Sequence, residues 1–223
     1  MRYKTVLWDL DGTLLNTLTD LANSVNHALA ACGLPAVDAQ QVSAGTGNGV
    51  RELLMACTPD GENCPRFKEV CDAFVAHYDK HSSDFTAPYA GIMETLHAVK
   101  EAGATLGIVS NKLDWAVKQL GDLHFPGMMA VCVGEREGVR RKPAPDVVLA
   151  ALEELGVAKE DAVDIGDSEI DVQTAINVGM DCIAVTWGFR SRQQLLDAGA
   201  TVLADKALPP RKPSRLSILP YSL

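Results

Sequence analysis

Two aspartates near the start of the chain, Asp9 and Asp11, directly follow an apolar run and are separated by one residue. Side chains alternate along a strand, so both carboxylates begin on the same side where the chain leaves a sheet. Gly12 permits a sharp turn directly after them. Two neighbouring carboxylates do not both ionise cheaply unless a cation lies between them, and oxygen ligands favour a hard cation such as Mg²⁺. The alternative is a strand end with turn-forming acids.

Three further segments carry polar side chains that could join this aspartate pair. Ser110 and Asn111 could surround an anion with a hydroxyl and backbone N–H groups, or could only cap a helix. Lys142 could supply a mobile cation to a phosphate, or could be a solvated loop residue. Asp167 and Asp171, four residues apart on one predicted helical face, could add carboxylates to a metal site, or could only stabilise a helix start.

The apolar pattern predicts the elements that would bring these segments together. Strands are expected at 4–9, 104–110, 129–133, 162–166, 182–187 and 201–204. Beyond Pro88 these strands alternate with predicted helices, which indicates an α/β fold with a parallel sheet covered by helices on both faces. Ligands of such a sheet bind beyond the carboxyl ends of its strands. Because the polar segments follow strand ends, we expect them to share one cleft.

A purely helical block is predicted between the first strand and Pro88, with helical spacing from Thr17 onward and at 48–57 and 66–81. This pattern divides the chain into an α/β core domain of residues 1–15 and 88–205 and a helical domain of residues 16–87. Residues 206–223 are rich in prolines and basic residues, and we expect them to form a loosely packed C-terminal tail.

The composition excludes several classes of function. The chain has 223 residues, of which 47% are hydrophobic, and it carries a net charge of −9. The acidic balance argues against nucleic acid and anionic membranes as partners, because both require a basic face. The six cysteines form no C-x-x-C pair, so reduced thiols are expected rather than a zinc site. No signal peptide or membrane-spanning run is recognisable, and a cytoplasmic monomer or homodimer is expected.

In order, the segments D-L-D-G-T-L, S-N-K, K-P-A-P-D and G-D-S-E-I-D resemble the four signature motifs of the haloacid dehalogenase superfamily of phosphohydrolases. The helical block resembles the small cap domain of that superfamily. Residues 45–50, 171–180 and 186–190 are similar to segments of phosphoglycolate phosphatases. The resemblance implies a Rossmann-like core with an inserted helical cap. It also implies Mg²⁺-dependent hydrolysis of a small phosphorylated metabolite, with 2-phosphoglycolate as the first substrate to test.

The resemblance also implies a role for each motif residue. Asp9 would attack phosphorus and form an aspartyl-phosphate, and Asp11 would protonate the leaving oxygen and then deprotonate water. Ser110 and Lys142 would hold the phosphoryl group. The expected metal ligands are Asp9, the backbone carbonyl of Asp11, Asp167 and Asp171, the last either as a direct ligand or through water.

Substrate choice is expected to lie in the cap. The glycine-rich segment 45–50 could be a flexible turn between helices, or a loop whose backbone approaches the leaving group. On the second interpretation, Gly47, Asn48 and Arg51 contact the substrate, together with Asn111 at the second motif.

Other functions on the same scaffold stay open at this stage. A pyrophosphatase or a phosphosugar phosphatase or mutase would use the same motifs. A dehalogenase is disfavoured because it has no use for Asp11 or a metal, and phosphonate cleavage lacks a suitable cap lysine. An alternative of another class is a signalling or binding module that is phosphorylated on Asp9, as receiver domains are.

Overall fold

A parallel β-sheet forms the centre of the computed structural model, which describes residues 2–207. The order of its six strands is β5-β4-β1-β6-β7-β8, and all neighbours are parallel. This confirms the α/β fold class. The described strands are β1 (Thr5–Trp8), β2 (Leu15–Asn16), β3 (Ala87–Pro88), β4 (Thr105–Leu113), β5 (Val131–Glu135), β6 (Ala162–Gly166), β7 (Asp181–Val185) and β8 (Leu203–Ala204).

The α-helices of the described chain fall into two groups, four before β3 and five after it. They are α1 (Leu18–Ala31), α2 (Ala39–Gly45), α3 (Val50–Cys57), α4 (Phe67–His81), α5 (Ile92–Glu101), α6 (Asp114–His124), α7 (Asp146–Leu155), α8 (Glu169–Val178) and α9 (Arg192–Asp197). None of the helices within residues 2–207 is both long enough and apolar enough to cross a bilayer. We refer to α1–α4 and their connections, residues 18–81, as the cap.

The central strand β1 is buried on both faces, as expected for a strand with parallel neighbours on both sides. Val6 and Trp8 pack on one face in a cluster that includes residues of α5 and α6. Leu7 packs on the other face with residues of α7 and α8. The strands β4 and β5 lie on one side of β1, and β6, β7 and β8 lie on the other. Where the strand order reverses in this way, a crevice opens beyond the carboxyl ends of the strands.

Both connections between the sheet and the cap run through a short antiparallel ribbon. Leu15 pairs with Pro88 and Asn16 pairs with Ala87. The cap has its own apolar core, which reaches Ala116 of α6. Both chain connections between the core and the cap pass through this ribbon. We therefore propose that the domain boundaries lie where they are predicted, with residues 16–87 in the cap domain and residues 1–15 and 88–205 in the core domain. Most of the predicted tail, residues 208–223, lies outside the described residues.

A buried carboxylate fixes the first cap helix to the returning chain. Asp20 is 1% exposed. Its oxygens accept hydrogen bonds from the backbone N–H groups of Phe85 and Thr86 and from the Thr86 hydroxyl, at 2.7–3.1 Å. Buried carboxylates of this kind hold their donors strongly, since removing the acceptor leaves several polar groups unsatisfied.

One predicted boundary is wrong, and one helix was not predicted. The strand predicted to end at residue 110 continues to Leu113 as β4, and α6 begins at Asp114, so the alternative in which Ser110 and Asn111 cap a helix does not apply. The pairing of β4 with β5 resumes at Leu113 after a register shift, and no pattern in the sequence predicts this shift. The short helix α2 was missed because Val42 is its one buried residue, so its seven residues carry no apolar periodicity.

We expect Asp20→Ala to lower the free energy of unfolding by about 2–4 kcal/mol, because three donors lose their acceptor. Urea-induced unfolding followed by circular dichroism measures the effect. Asp79→Ala, which removes an exposed carboxylate from α4, is the matched control and is expected to change stability by less than about 0.5 kcal/mol. Equal effects of the two substitutions would contradict this account of Asp20.

Candidate active site

Polar side chains from four parts of the core meet at the carboxyl edge of the sheet, beneath the cap. Asp9 directly follows β1, Ser110 lies near the end of β4, and Lys142 lies in the loop before α7. Asp167 directly follows β6, and Asp171 lies in the first turn of α8. All five line one pocket. The cap residues that complete its lining are Leu21, Thr46, Gly47, Gly49, Val50, Leu53 and Tyr78.

The ammonium group of Lys142 is buried between two carboxylates. Its Nζ donates to Asp9 Oδ1 at 2.8 Å, to Asp171 Oδ1 at 2.5 Å and to the carbonyl oxygen of Val109 at 3.0 Å. Burial lowers the pKa of Lys142, but the charges of Asp171, Asp9 and Asp164 outweigh burial and raise it above its usual value. The side chain is therefore a permanent cation at the base of the pocket.

Asn111 holds the backbone of Lys142 and also contacts the cap. Its Oδ1 accepts from the backbone N–H of Lys142 at 2.7 Å, and its Nδ2 donates to the Lys142 carbonyl at 2.8 Å. The same Nδ2 donates to the carbonyl of Gly47 at 2.9 Å. These bonds engage both ends of the amide with protein groups.

Asp167 lies in a tight cradle made of small residues. Its oxygens accept from the Thr13 hydroxyl at 2.9 Å and from the backbone N–H of Phe189 at 2.7 Å. A Cβ atom on Gly12 would lie 2.4 Å from Asp167 Oδ2, and one on Gly188 would lie 2.3 Å from it. No side chain larger than hydrogen fits at these positions unless the carboxylate moves.

The acidic residues of this site could hold a metal ion. Asp9, Asp167 and Asp171 are buried, and each offers an oxygen within 4.8 Å of the others. One oxygen of Asp171 accepts from Lys142, and the other accepts from the hydroxyl and backbone N–H of Ser168 at 2.7 and 3.0 Å. Both oxygens of Asp167 and of Asp171 thus accept hydrogen bonds, whereas among the described residues only Oδ1 of Asp9 does so. An oxygen-only donor set fits Mg²⁺.

Negative charge is in excess around Lys142. Burial raises the pKa of Asp9 to about 6, with Lys142 opposing the rise and Asp171 adding to it. Burial, followed by the charges of Asp171 and Asp9, raises the pKa of Asp167 well above its usual value. The electrostatics favour an additional cation beside these carboxylates.

A further carboxyl group, Asp164, is fully buried in β6 beneath the site. Neither of its oxygens has a hydrogen-bond partner within the described residues. Burial raises the pKa of Asp164 to about 8, with the Lys142 charge opposing the rise. The pattern of buried apolar strand residues gave no reason to expect an acid in the middle of this strand.

Asp11 turns away from the other acids and pairs with Lys112. The Nζ of Lys112 lies 2.9 Å from both carboxylate oxygens of Asp11, and their side chains are 3% and 13% exposed. The same Nζ lies 4.6 Å from the ring centroid of Tyr78. Lys112 is the third residue of the S-N-K segment, and the sequence indicates no role for it. Tyr78 was assigned only to the helical pattern of the cap.

Arg190 links the core to the cap from the other side of the pocket. Its guanidinium donates to the carbonyl oxygens of Ser43 and Thr46 at 3.1 and 2.8 Å, and its Nε lies 2.7 Å from Glu169 Oε2. The side chain is buried. The segment 186–190 was noted in the sequence, but Arg190 was not singled out.

The predicted cap contacts are only partly brought together. Gly47 lines the pocket, whereas Asn48 and Arg51 are not part of its lining. Arg51 projects from the outer side of α3 and pairs with Glu62 at 2.6 Å. The predicted substrate contact of Arg51 finds no support in this geometry.

Comparisons with known proteins find relatives that match most of this chain. The family model described as haloacid dehalogenase-like hydrolase matches residues 6–185. A phosphoglycolate phosphatase from Aquifex aeolicus is 34% identical over 83% of this chain and 86% of its own length. An N-acetylmuramic acid 6-phosphate phosphatase from Pseudomonas aeruginosa is 33% identical over 85% of this chain and 84% of its own.

The solved structures show the same relationship. A crystal structure of a candidate phosphoglycolate phosphatase from Lactobacillus delbrueckii subsp. bulgaricus superposes with a TM-score of 0.87. It shares 35% sequence identity and covers 93% of this chain and 96% of that chain. The likeness therefore extends over the core and the cap together.

The buried carboxyl of Asp164 leads to a pH prediction. The native protein retains the Asp164 proton up to about pH 8, whereas the unfolded chain releases it near pH 4. Between these pH values the unfolded state gains stability by ionising, so the free energy of unfolding falls as the pH rises. We expect the stability of Asp164→Asn relative to the wild type to increase by roughly 2–4 kcal/mol from pH 5 to pH 8. Urea unfolding at intervals of one pH unit measures this difference.

Asp197→Asn, which changes an exposed carboxylate of α9, is the control and is expected to follow the wild-type pH dependence. A constant difference between Asp164→Asn and the wild type across this range would show that Asp164 does not hold a proton in the native state.

Proposed function

Because the chain belongs to the haloacid dehalogenase-like hydrolases and is a phosphatase of that family, we propose that it hydrolyses small phosphomonoesters with the help of Mg²⁺. The observation that carries the proposal is the buried Asp9 carboxylate at the base of the pocket. It lies 2.8 Å from Lys142 Nζ and within reach of the oxygens of Asp167 and Asp171. This arrangement supports a mechanism in which Asp9 would be the nucleophile, Lys142 would bind the phosphate, and the neighbouring acids would hold the metal ion.

The metal site would be built by Asp9, Asp167 and the backbone carbonyl of Asp11, with Asp171 holding Lys142 and the start of α8 in place. When bound, Mg²⁺ would neutralise the negative charge of the phosphate and of the surrounding acids. The cradle around Asp167 orients its carboxylate through Thr13 and Phe189 before any ligand arrives.

In the first step, an oxygen of Asp9 attacks phosphorus and the bond between phosphorus and the ester oxygen breaks. Asp11, which enters this step protonated, gives its proton to the leaving oxygen, which departs as an alcohol. Lys142 and Ser110 hold the phosphoryl oxygens. The ammonium group of Lys142, 2.8 Å from Asp9 Oδ1, lowers the pKa of this carboxyl against the effect of burial and so favours its ionised, nucleophilic form.

In the second step, water gives a proton to Asp11 and attacks the phosphorus of the aspartyl-phosphate. The bond to Asp9 breaks, inorganic phosphate leaves, and both aspartates return to their starting states. Most of the rate enhancement would come from positioning and from compensation of charge on the phosphoryl oxygens.

We propose 2-phosphoglycolate as the preferred substrate. The support comes from relatives that carry the name phosphoglycolate phosphatase at 31–34% identity. N-acetylmuramic acid 6-phosphate, named for another relative, is the alternative that these comparisons favour. Both compounds are phosphomonoesters whose alcohol part bears a carboxyl group.

We expect the protein to release phosphate from 2-phosphoglycolate in a reaction that depends on Mg²⁺. The assay compares this compound with N-acetylmuramic acid 6-phosphate, sugar phosphates, pyrophosphate and p-nitrophenyl phosphate, each with Mg²⁺ and with EDTA. Asp9→Asn is the matched blank, because it keeps the shape of the side chain and removes the nucleophile. Its rate is expected to be lower by at least about 10³-fold.

Strong preference for another phosphomonoester would keep the mechanism and replace the substrate. If no compound released phosphate while Asp9 became phosphorylated and stayed so for hours, a signalling module would replace the hydrolase.

We expect Asp167→Asn to weaken Mg²⁺ binding by at least about tenfold, because the site loses one ligand charge. Isothermal titration calorimetry with Mg²⁺ alone measures this affinity without substrate turnover. Asp79→Asn on the exposed side of α4 is the control and is expected to leave the affinity unchanged. Equal affinities of Asp167→Asn and the wild type would remove Asp167 from the metal site.

A further inference from the structure

Two of the hydrogen-bond donors that line the pocket are Lys112 and Tyr78, and the proposed hydrolysis gives neither of them a role. Lys112 comes from the end of β4, and Tyr78 comes from α4 of the cap. The Nζ of Lys112 lies 4.6 Å from the ring centroid of Tyr78, so the two side chains form one wall of the pocket. A cation against the face of an aromatic ring is a stable arrangement in a buried site.

The hydroxyl of Tyr78 has no hydrogen-bond acceptor among residues 2–207. The residue is 1% exposed, and within the described residues its oxygen makes no hydrogen bond. Burial raises the pKa of Tyr78 to about 12, so the hydroxyl is a neutral donor at physiological pH. A buried hydroxyl without an acceptor is unfavourable, and a ligand with an oxygen acceptor would satisfy it.

Lys112 lies on the leaving-group side of the pocket. Its carboxylate partner is Asp11, the residue that the proposed reaction uses to protonate the leaving oxygen. Lys142 lies on the phosphoryl side with Asp9. Arg190 is occupied by Glu169 and by cap carbonyls. Among the cations that line the pocket, Lys112 is therefore the one placed to meet a charge on the alcohol part of a substrate.

We propose that Lys112 and Tyr78 form a subsite for a carboxylate carried by the leaving group. The substrate carboxylate would replace Asp11 on the ammonium group of Lys112 and accept a hydrogen bond from Tyr78. Asp11, released from Lys112, would then take up a proton from solvent and approach the ester oxygen as a general acid. Lys112 keeps one carboxylate partner throughout, so the exchange leaves no buried cation uncompensated.

The surroundings of the subsite favour a charged acid over an uncharged group. Leu21 and Leu53 of the cap and Ala116 of α6 line the pocket with apolar groups and belong to one apolar cluster with Tyr78. Their low polarity strengthens the attraction between Lys112 and a carboxylate, and makes an uncharged group in the same place a poor substitute. This assignment rests on the proposed function and adds the residues that would recognise the acid.

The test compares 2-phosphoglycolate with its amide, 2-phosphoglycolamide, which has the same shape and no carboxylate charge. Calorimetry measures the binding of both compounds in the presence of Mg²⁺ to Asp9→Asn protein, which does not turn them over. Further variants on this background are Lys112→Met, Tyr78→Phe and the control Lys80→Met, which changes an exposed lysine of α4. Thermal melting verifies that each variant is folded.

We expect the acid to bind about 10- to 100-fold more tightly than the amide, and Lys112→Met to abolish this preference. Tyr78→Phe keeps the ring beneath Lys112 and is expected to reduce the preference about three- to tenfold. Lys80→Met is expected to retain it. Should Lys112→Met fail to fold, Tyr78→Phe still decides, since an unchanged preference in this variant would overturn the subsite.

Equal weakening of both compounds by Lys112→Met would also overturn the proposal, because Lys112 would then act only through Asp11. So would equal binding of acid and amide without these substitutions. Failure of the proposed function has a different signature: the wild-type protein would release no phosphate, whatever the binding preference.

Discussion

The buried ammonium group of Lys142 is the interaction on which the rest of the site depends. It lies within hydrogen-bond distance of Asp9 and Asp171, which follow the neighbouring strands β1 and β6. Removing one partner of a buried charge pair costs about 3–5 kcal/mol, because the remaining charge is left without compensation. The strand ends of β1 and β6 and the loop before α7 must therefore fold together, or none of them is stable in its observed position.

The same site holds more carboxyl groups than the single charge of Lys142 could balance if all of them were ionised. Burial keeps Asp164 protonated at neutral pH, and it opposes the ionisation of Asp167. A protein that needed only stability would replace such acids with apolar residues, which often cost less to bury. The excess of carboxyl groups suits a site that takes up a cation and a phosphate together, because the cation compensates the negative charge of both the carboxylates and the phosphate.

The cap and the segment that carries Lys142 are joined by shared contacts. Asn111 binds the backbone of Lys142 and the cap carbonyl of Gly47 with one amide group. The neighbouring residue Arg141 forms an ion pair with Glu52 of α3. A cap that moved away would break these bonds and loosen the segment that positions Lys142. Under the proposed mechanism, binding beneath the cap and alignment of Lys142 with the phosphate would thus be parts of one event.

The sequence allowed the core of the site to be predicted and left its leaving-group side unpredicted, for a physical reason. Asp9, Lys142 and Asp167 follow strands whose apolar runs are visible in the chain, and parallel strands end at a common edge. The contact between Lys112 and Tyr78 joins a strand extension that follows a register shift to a helix of the cap. No periodicity describes how a cap sits on a core, because that placement depends on packing between distant segments. Chemistry common to many substrates can therefore rest on regular strand ends, whereas recognition of one leaving group requires residues that only the folded molecule brings together.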